Sequence, residues 1–319
     1  MDLPEISNKT ILISPLDWGF GHTTRCVSII KALLINNNSI IFAGNLAQVN
    51  FIKNEFSEIK IELIEGYNVE LSSKKSAYSQ ILNQLYKINK AIGFEFKWVK
   101  NYIEKHNVDL IISDNRYGFR SPKVESIFIG HQLNLELPKF KKIVNSILIK
   151  KINQFNKVWI VDDEKINLAG KLSNPKELKI PYCYIGLLSR FTAVSLVLKY
   201  DYLILVSGPV PENTLFLKEV ELFASQSKLK IAIVSTVKSA NELINVDYYY
   251  YPTTGELNTL LNSSKTIISK AGYTTLMELL ILYKNAVLIP TKGQFEQEYL
   301  ALSIKNDRFK FVENIDSIR

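Results

Sequence analysis

The chain has 319 residues, 47% hydrophobic and 22% charged, with 13 Gly and 10 Pro, which excludes a disordered or collagen-like chain and suits two globular domains. Two Cys (Cys26, Cys183) and three His (His22, His106, His131) exclude a disulfide framework, a structural zinc site and a histidine-built metal centre, and fit a reduced cytoplasmic protein. The formal charge of +8 attracts anions (nucleic acid, anionic lipid or phosphorylated small molecules) without choosing among them.

Residues 1–9 carry acids and lack the basic-then-apolar order of a signal peptide. No apolar run approaches the ~18–20 residues that span a bilayer, so a cytoplasmic location is expected. Nearly continuous apolar runs predict strands at 10–14, 39–43, 60–64, 109–113, 126–130 and 157–161. Such runs suit parallel strands buried on both faces. Helical patterns fall between them, at 22–36 and 76–105. The second half repeats the alternation, with strands at 202–206, 229–235, 247–250, 266–269 and 286–289 and helices at 213–225, 274–282 and 296–304. This predicts an α/β protein with two Rossmann-like domains, 1–190 and 191–319, whose parallel sheets face a central cleft. Ligands of such sheets bind at the carboxyl ends of the strands, so the segments after each strand carry the functional information.

The segment Asp17-Trp-Gly-Phe-Gly-His-Thr-Thr-Arg25 follows the first strand and opens the first long helix. Gly19 and Gly21 let the backbone approach a ligand, and the helix start offers N–H groups to an anion. A dinucleotide fingerprint fails here, because Thr24 stands at the third glycine and no acid follows the second strand; a Walker loop fails for want of Gly-Lys-Ser/Thr. Asp114 and Arg116 follow the 109–113 strand and His131 follows the next, which makes them candidates for acceptor binding or proton transfer. Residues 139–157 hold six Lys and no acid, with Ile143, Ile147, Ile152 and Phe155 spaced roughly for one helical face. That pattern is read two ways: a basic amphipathic helix on an anionic membrane, or a helix packed on the sheet with its lysines in water.

In the second domain, Ser207 and Gly208 follow the first strand, where a short loop before a helix can receive a phosphate oxygen. Ser269-Lys-Ala-Gly-Tyr-Thr-Thr-Leu-Met-Glu278 is the most informative stretch. A strand ends at Ser269, Gly272 bends the chain, and a helix starts near Thr274. Glu278 lies about one turn in, where a carboxylate can accept two hydroxyl hydrogen bonds of a ribose diol. Gln294, Glu296, Gln297 and Glu298 follow the next strand and offer donors and acceptors to sugar hydroxyls.

These features together resemble the GT-B glycosyltransferases. The match is closest to the family 28 type, which includes the enzyme that adds N-acetylglucosamine to the lipid-linked peptidoglycan precursor. The resemblance is carried by Gly19-Phe-Gly-His22, by 269–278 and by 294–301. It implies that Ser269 and Gly272, Tyr273, Thr274 and Thr275 hold a donor diphosphate, completed by Ser207 and Gly208. It implies ribose binding by Glu278, and donor-sugar contact by Gln297 with Glu296 and Gln294. Gly21 and His22 would approach the reacting centre from the first domain, with Gly19, Arg116 and His131 on the acceptor. The 186–190 segment looks like that of uncharacterised bacterial relatives and has no assigned role. The family's second-domain loop is richer in glycine than residues 207–211, and Glu296-Gln297 replaces a double Gln. The family's closing helix is expected to be short or absent, since only residues 314–319 remain for it.

The implied reaction moves a sugar from a nucleotide-diphosphate donor, UDP-sugar favoured and UDP-N-acetylglucosamine included, to a hydroxyl of a lipid-linked or glycan acceptor. No Asp-x-Asp occurs, and neither metal nor resident cofactor is expected. His22 suits the general base, with Asp114 the second choice. The resemblance implies inversion at the anomeric carbon, and a place at the inner face of the cell membrane if the basic helix docks there. Two alternatives remain: a GT-B sugar-nucleotide epimerase and a non-catalytic membrane-attached binding protein. Nucleic acid is not expected as a partner, because no recognition motif accompanies the charge.

Overall fold

The computed structural model describes residues 3–67, 85–137, 139–208 and 211–318. The predicted helix 76–105 lies outside this set over 76–84, as do Pro209 and Val210 of the 207–211 loop. The chain divides into two compact units, the first ending at Leu188 and the second beginning at Ser189.

Seven strands of the first unit form one sheet: β1 (Thr10–Pro15), β2 (Ser39–Gly44), β3 (Lys60–Leu63), β4 (Leu110–Asp114), β5 (Glu125–Gly130), β6 (Lys157–Ile160) and β7 (Tyr182–Tyr184). Their order is β3-β2-β1-β4-β5-β6-β7, and every neighbouring pair is parallel. Helices α1 (Gly21–Ile35), α2 (Leu46–Glu55), α3 (Leu85–Ile103) and α4 (Lys141–Ile152) connect them. All five residues of β4 are buried, as are five of six in β1, which is why both read as unbroken apolar runs. Leu12, Ile41 and Ile111 pack with Val99 and Tyr102 of α3, while Phe128, Val158 and Ile160 pack with Leu148, Ile149 and Ile152 of α4.

The second unit repeats the plan with β8 (Tyr200–Val206), β9 (Ile231–Ser235), β10 (Val246–Tyr250), β11 (Ser264–Lys270), β12 (Asn285–Ile289) and β13 (Phe309–Phe311). Their order is β10-β9-β8-β11-β12-β13, again parallel throughout. Its helices are α5 (Glu212–Ser225), α6 (Thr254–Asn262), α7 (Tyr273–Ile281) and α8 (Phe295–Ser303). Both units are therefore Rossmann-like. In each, the strand order reverses once, between β1 and β4 and between β8 and β11, and the reversal opens a crevice at the carboxyl edge.

Besides two short 3-10 helices, Gly170–Ser173 and Ile315–Ile318, the structure adds two strands and two α-helices to those predicted. β7 and β13 are three-residue edge strands, too short to show a hydrophobic pattern. Helices α2 and α6 each open on a capping box, Asn45 with Gln48 and Thr253 with Glu256. The apolar face predicted for 139–157 is corrected. Phe155 lies beyond the helix end, and Ile143 and Ile147 are 60% and 52% exposed, because α4 seats Leu148, Ile149 and Ile152 on the sheet instead. β9 likewise starts at Ile231 and leaves Leu229 exposed.

Candidate functional site

At the first unit's crevice, Asp114 ends β4 in register with Pro15 of β1. From Pro15 the chain runs into a turn at Gly19, whose φ of +78° suits glycine, and enters α1 at Gly21. Gln48 of α2 braces this turn from below: its amide donates to the Leu16 carbonyl at 3.2 Å and to Thr23 Oγ1 at 3.0 Å. Asp17 ties the same turn to the chain after β3 by accepting the Tyr67 N–H at 2.9 Å. These braces set His22 on the first turn of α1, above the end of β4.

His22 Nδ1 lies 2.8 Å from Asp114 Oδ1. Arg25, one turn further along α1, donates from Nε to Asp114 Oδ2 at 2.5 Å and also bonds Oδ1. The nitrogen on Oδ1, Nη2, also lies 2.9 Å from His22 Nδ1, and Nη1 reaches His131 Nδ1 at 3.0 Å. Asp114 and Arg25 are sealed from solvent, His131 nearly so, while 16% of the His22 side chain is exposed. Burial opposes ionisation of Asp114, but the Arg25 guanidinium and His22 outweigh it and hold the carboxyl at about 2. Burial, and then the Arg25 charge, push His22 below its ordinary value against the pull of Asp114. The result is a neutral imidazole beside a fixed carboxylate, the arrangement of a general base.

Arg116 does not join this cluster. Asn115 takes a left-handed φ of +59°, which turns the chain between Asp114 and Arg116. Arg116 is fully buried, with Nε 2.6 Å from Glu95 Oε1 and Nη2 donating to the Glu65 carbonyl at 2.6 Å. Glu95 also accepts the Gly118 N–H and the Tyr67 hydroxyl. Arg116 thus ties α3 to the β4–β5 connection.

At the second unit's crevice, Ser207 and Gly208 leave β8 exposed, with Gly208 at a φ of +110°. Beyond β11, Gly272 caps α7 in extended conformation, and Tyr273, Thr274 and Thr275 form its first turn. Backbone N–H groups of a first turn point toward the helix start, where the helix dipole favours an anion. Ser269 is buried and its hydroxyl donates to the Lys270 carbonyl. Lys270 lies over the Phe216 ring of α5, 4.2 Å from its centroid. Glu278 is 8% exposed, with Arg190 Nε 3.4 Å from its Oε1 and the Arg190 backbone also bonding it. Burial pushes the Glu278 carboxyl up to about 7, with Arg190 opposing. At the head of α8, Gln297 donates to Gln294 at 2.6 Å and accepts the Thr291 N–H at 2.9 Å, while Glu296 stands half-buried on the same turn.

Arg25, Gln48 and Arg190 carry roles that the sequence reading left unassigned. Among the described residues, no group of three His, Cys, Asp or Glu side chains comes together as a metal site. No helix among them is long and apolar enough to cross a membrane.

Two parallel sheets, each with one switch point carrying polar groups at its carboxyl edge, define a protein of the GT-B glycosyltransferase fold. Solved structures agree on that fold. The glycotransferase of kitacinnamycin matches with a TM-score of 0.66 at 12% identity, over 98% of this chain and 87% of its own. The spinosyn rhamnosyltransferase SpnG, complexed with thymidine diphosphate, matches at 0.65 and 10%, over 97% and 87%. MurG of Acinetobacter baumannii matches at 0.53 and 13%, over 95% and 86%. No curated protein matches the chain by sequence. Residues 211–312 match the glycosyltransferase family 28 C-terminal domain. Over that segment the second unit is similar to family 28, and the chain as a whole has the fold of the GT-B glycosyltransferases.

Proposed function

We propose that the protein transfers a sugar from a UDP-sugar, UDP-N-acetylglucosamine foremost, to a hydroxyl of a lipid-linked or glycan acceptor, with inversion and without a metal. The 2.8 Å contact between His22 and the sealed Asp114 carries this reading. Asp114 accepts the Nδ1 proton, which leaves Nε2 to take the proton of the acceptor hydroxyl. The acceptor oxygen forms its bond to the anomeric carbon as the bond to the diphosphate breaks, and UDP departs with that electron pair. The α7 start at Gly272 and the Ser207–Gly208 turn offer backbone N–H groups to the departing diphosphate, which is electrostatic stabilisation of the leaving group. Glu278 receives the ribose diol, and Gln297, Gln294 and Glu296 receive the sugar. The family 28 match over 211–312 supports this donor assignment.

We further propose a peripheral place on an anionic membrane at the cytoplasmic face. Phe140, Ile143 and Ile147 are exposed on or beside α4, among Lys139, Lys141, Lys142, Lys150 and Lys151. Exposed apolar groups ringed by lysine complement an anionic lipid surface.

A thermal-shift series with UDP-, GDP-, dTDP- and CDP-sugars tests the donor, since a ligand bound only by the folded state raises Tm. UDP-sugars are expected to give the largest rise, and no rise with any of them overturns the reading. His22→Gln should lower turnover by roughly 100-fold or more while donor affinity stays within about twofold. Unchanged turnover removes His22 from the reaction.

A further inference from the structure

A base that stands beside a buried carboxylate risks capture by it. Without a competing cation, a histidine next to an ionised Asp favours the imidazolium, and an imidazolium cannot accept a proton. In this chain the competing cation is built in. Arg25 bonds both oxygens of Asp114 and still places one nitrogen 2.9 Å from His22 Nδ1 and another 3.0 Å from His131 Nδ1. The charged and titratable groups facing His22 are Arg25 from α1, Asp114 from β4 and His131 from the turn after β5. Cys26 Sγ lies on the far side, 4.0 Å from Asp114 Oδ2.

We propose that Arg25 is a positioning residue of the transfer reaction: by taking up the charge of Asp114 it holds His22 as a neutral imidazole whose Nε2 accepts the acceptor proton. Three features of the geometry argue for this. First, the guanidinium and the imidazole share one carboxylate oxygen, so Asp114 cannot pair fully with His22 while Arg25 is present. Second, Nδ1 has a carboxylate acceptor at 2.8 Å and a guanidinium donor at 2.9 Å, and these two contacts are exclusive. Donation to Asp114 fixes the proton on Nδ1 and frees Nε2; acceptance from Arg25 does the reverse. Arg25 Nη2 already has Asp114 Oδ1 as its acceptor, whereas an Nδ1 without a proton would turn its lone pair on a carboxylate oxygen 2.8 Å away, so Asp114 is the partner for Nδ1. Third, Arg25 is 2% exposed, so water does not screen its charge from either neighbour. Burial also lowers His22, but burial acts on any sealed histidine, whereas Arg25 acts only through Asp114 and His22.

The inference rests on His22 as the base, and the test separates the two. The pH dependence of kcat/KM is measured for wild type, Arg25→Met and Arg25→Lys, and the three histidines are followed by nitrogen-15 NMR titration. In wild type, His22 should be neutral at pH 7 with its proton on Nδ1; a charged ring at pH 7 overturns the proposal and needs no variant. In Arg25→Met the acidic limb should move to higher pH, so that the ratio of kcat/KM at pH 6 to that at pH 8.5 falls by at least about fivefold relative to wild type, given the usual reach of a neighbouring charge. Arg25→Lys, which keeps a cation but loses the fork, should recover most of that ratio. A merely structural Arg25 predicts an equal loss at every pH and an unmoved His22 titration, and either result overturns the proposal. If the transfer assay reads zero for wild type, the reading of His22 as base fails, and the NMR titration still decides the role of Arg25.

Discussion

In the proposed donor site, Glu278 should link proton binding to donor binding. Its carboxyl sits at about 7, raised by burial and opposed by Arg190. A ribose diol donates two hydrogen bonds, so it is received by the ionised form. Between pH 6 and pH 8 the ionised fraction climbs from about one tenth to about nine tenths, and affinity for a UDP-sugar should tighten about tenfold. The diphosphate of a UDP-sugar is a diester with no proton to lose in this range, so the slope belongs to the protein. The sign follows from the direction of the perturbation. A carboxyl raised in the free protein and needed as carboxylate in the complex expels a proton on binding below 7 and none well above it. Calorimetry at pH 6 in buffers of different ionisation enthalpy should read close to one proton released per donor bound, and at pH 8.5 close to none. Glu278→Gln should bind weakly with a flat profile. Equal wild-type affinity at pH 6 and pH 8, or the same slope in Glu278→Gln, refutes both the ribose role and the linkage.

The same carboxyl predicts a stability profile. A folded value of about 7 against an ordinary 4.5 means that wild type loses stability as pH rises from 4.5 through 7. Glu278→Gln should therefore melt higher than wild type at pH 8.5, with the difference vanishing near pH 4; a constant difference across pH contradicts this. The α4 surface predicts that Ile143→Asp with Ile147→Asp keeps the wild-type Tm but loses co-sedimentation with vesicles of phosphatidylcholine and phosphatidylglycerol. Sedimentation that persists removes α4 from the membrane reading. Gln48→Leu strips the brace from the Leu16 carbonyl and Thr23 and should cost about 1–3 kcal/mol in urea denaturation, with a fall in turnover because His22 follows that turn. Unchanged stability and turnover place the brace elsewhere. Thr253→Ala removes the cap of α6 and should cost about 1 kcal/mol by the same assay, with turnover preserved.

The strands that build both crevices are plain in the sequence for a physical reason. β1, β4, β8 and β11 are central in their sheets, and each carries a buried apolar stretch (Ile11–Ile13, Leu110–Ile112, Leu203–Ile204 and Ile267–Ile268). The edge strands Tyr182–Tyr184 and Phe309–Phe311 pair on one side only and are too short to repeat any pattern. Helices α2 and α6 are polar enough to pass for loops, yet Asn45 with Gln48 and Thr253 with Glu256 were readable as helix starts. The exposure of Ile143 and Ile147 was not readable, because a helix with apolar residues on two faces does not say which face the sheet takes.

The contents of the crevices were legible position by position but not as pairs. His22 and Asp114 each stand after a strand, as expected of functional groups on a doubly wound sheet. That one lies 2.8 Å from the other is a property of the β1–β4 register, across 92 residues of chain. Arg116 stands two residues from Asp114 and serves a different network, because a left-handed Asn115 intervenes. Arg25 shows what signal was available. The run Thr23-Thr-Arg-Cys-Val-Ser-Ile-Ile30 is buried at every residue. An arginine inside such a run cannot reach water, and a guanidinium cannot shed its proton, so the fold must bring it a carboxylate. The first unit offers one at the carboxyl end of the strand beside β1, and that one is Asp114. The same necessity couples the arginine to the base: whatever neutralises Asp114 also decides how much of its charge reaches His22.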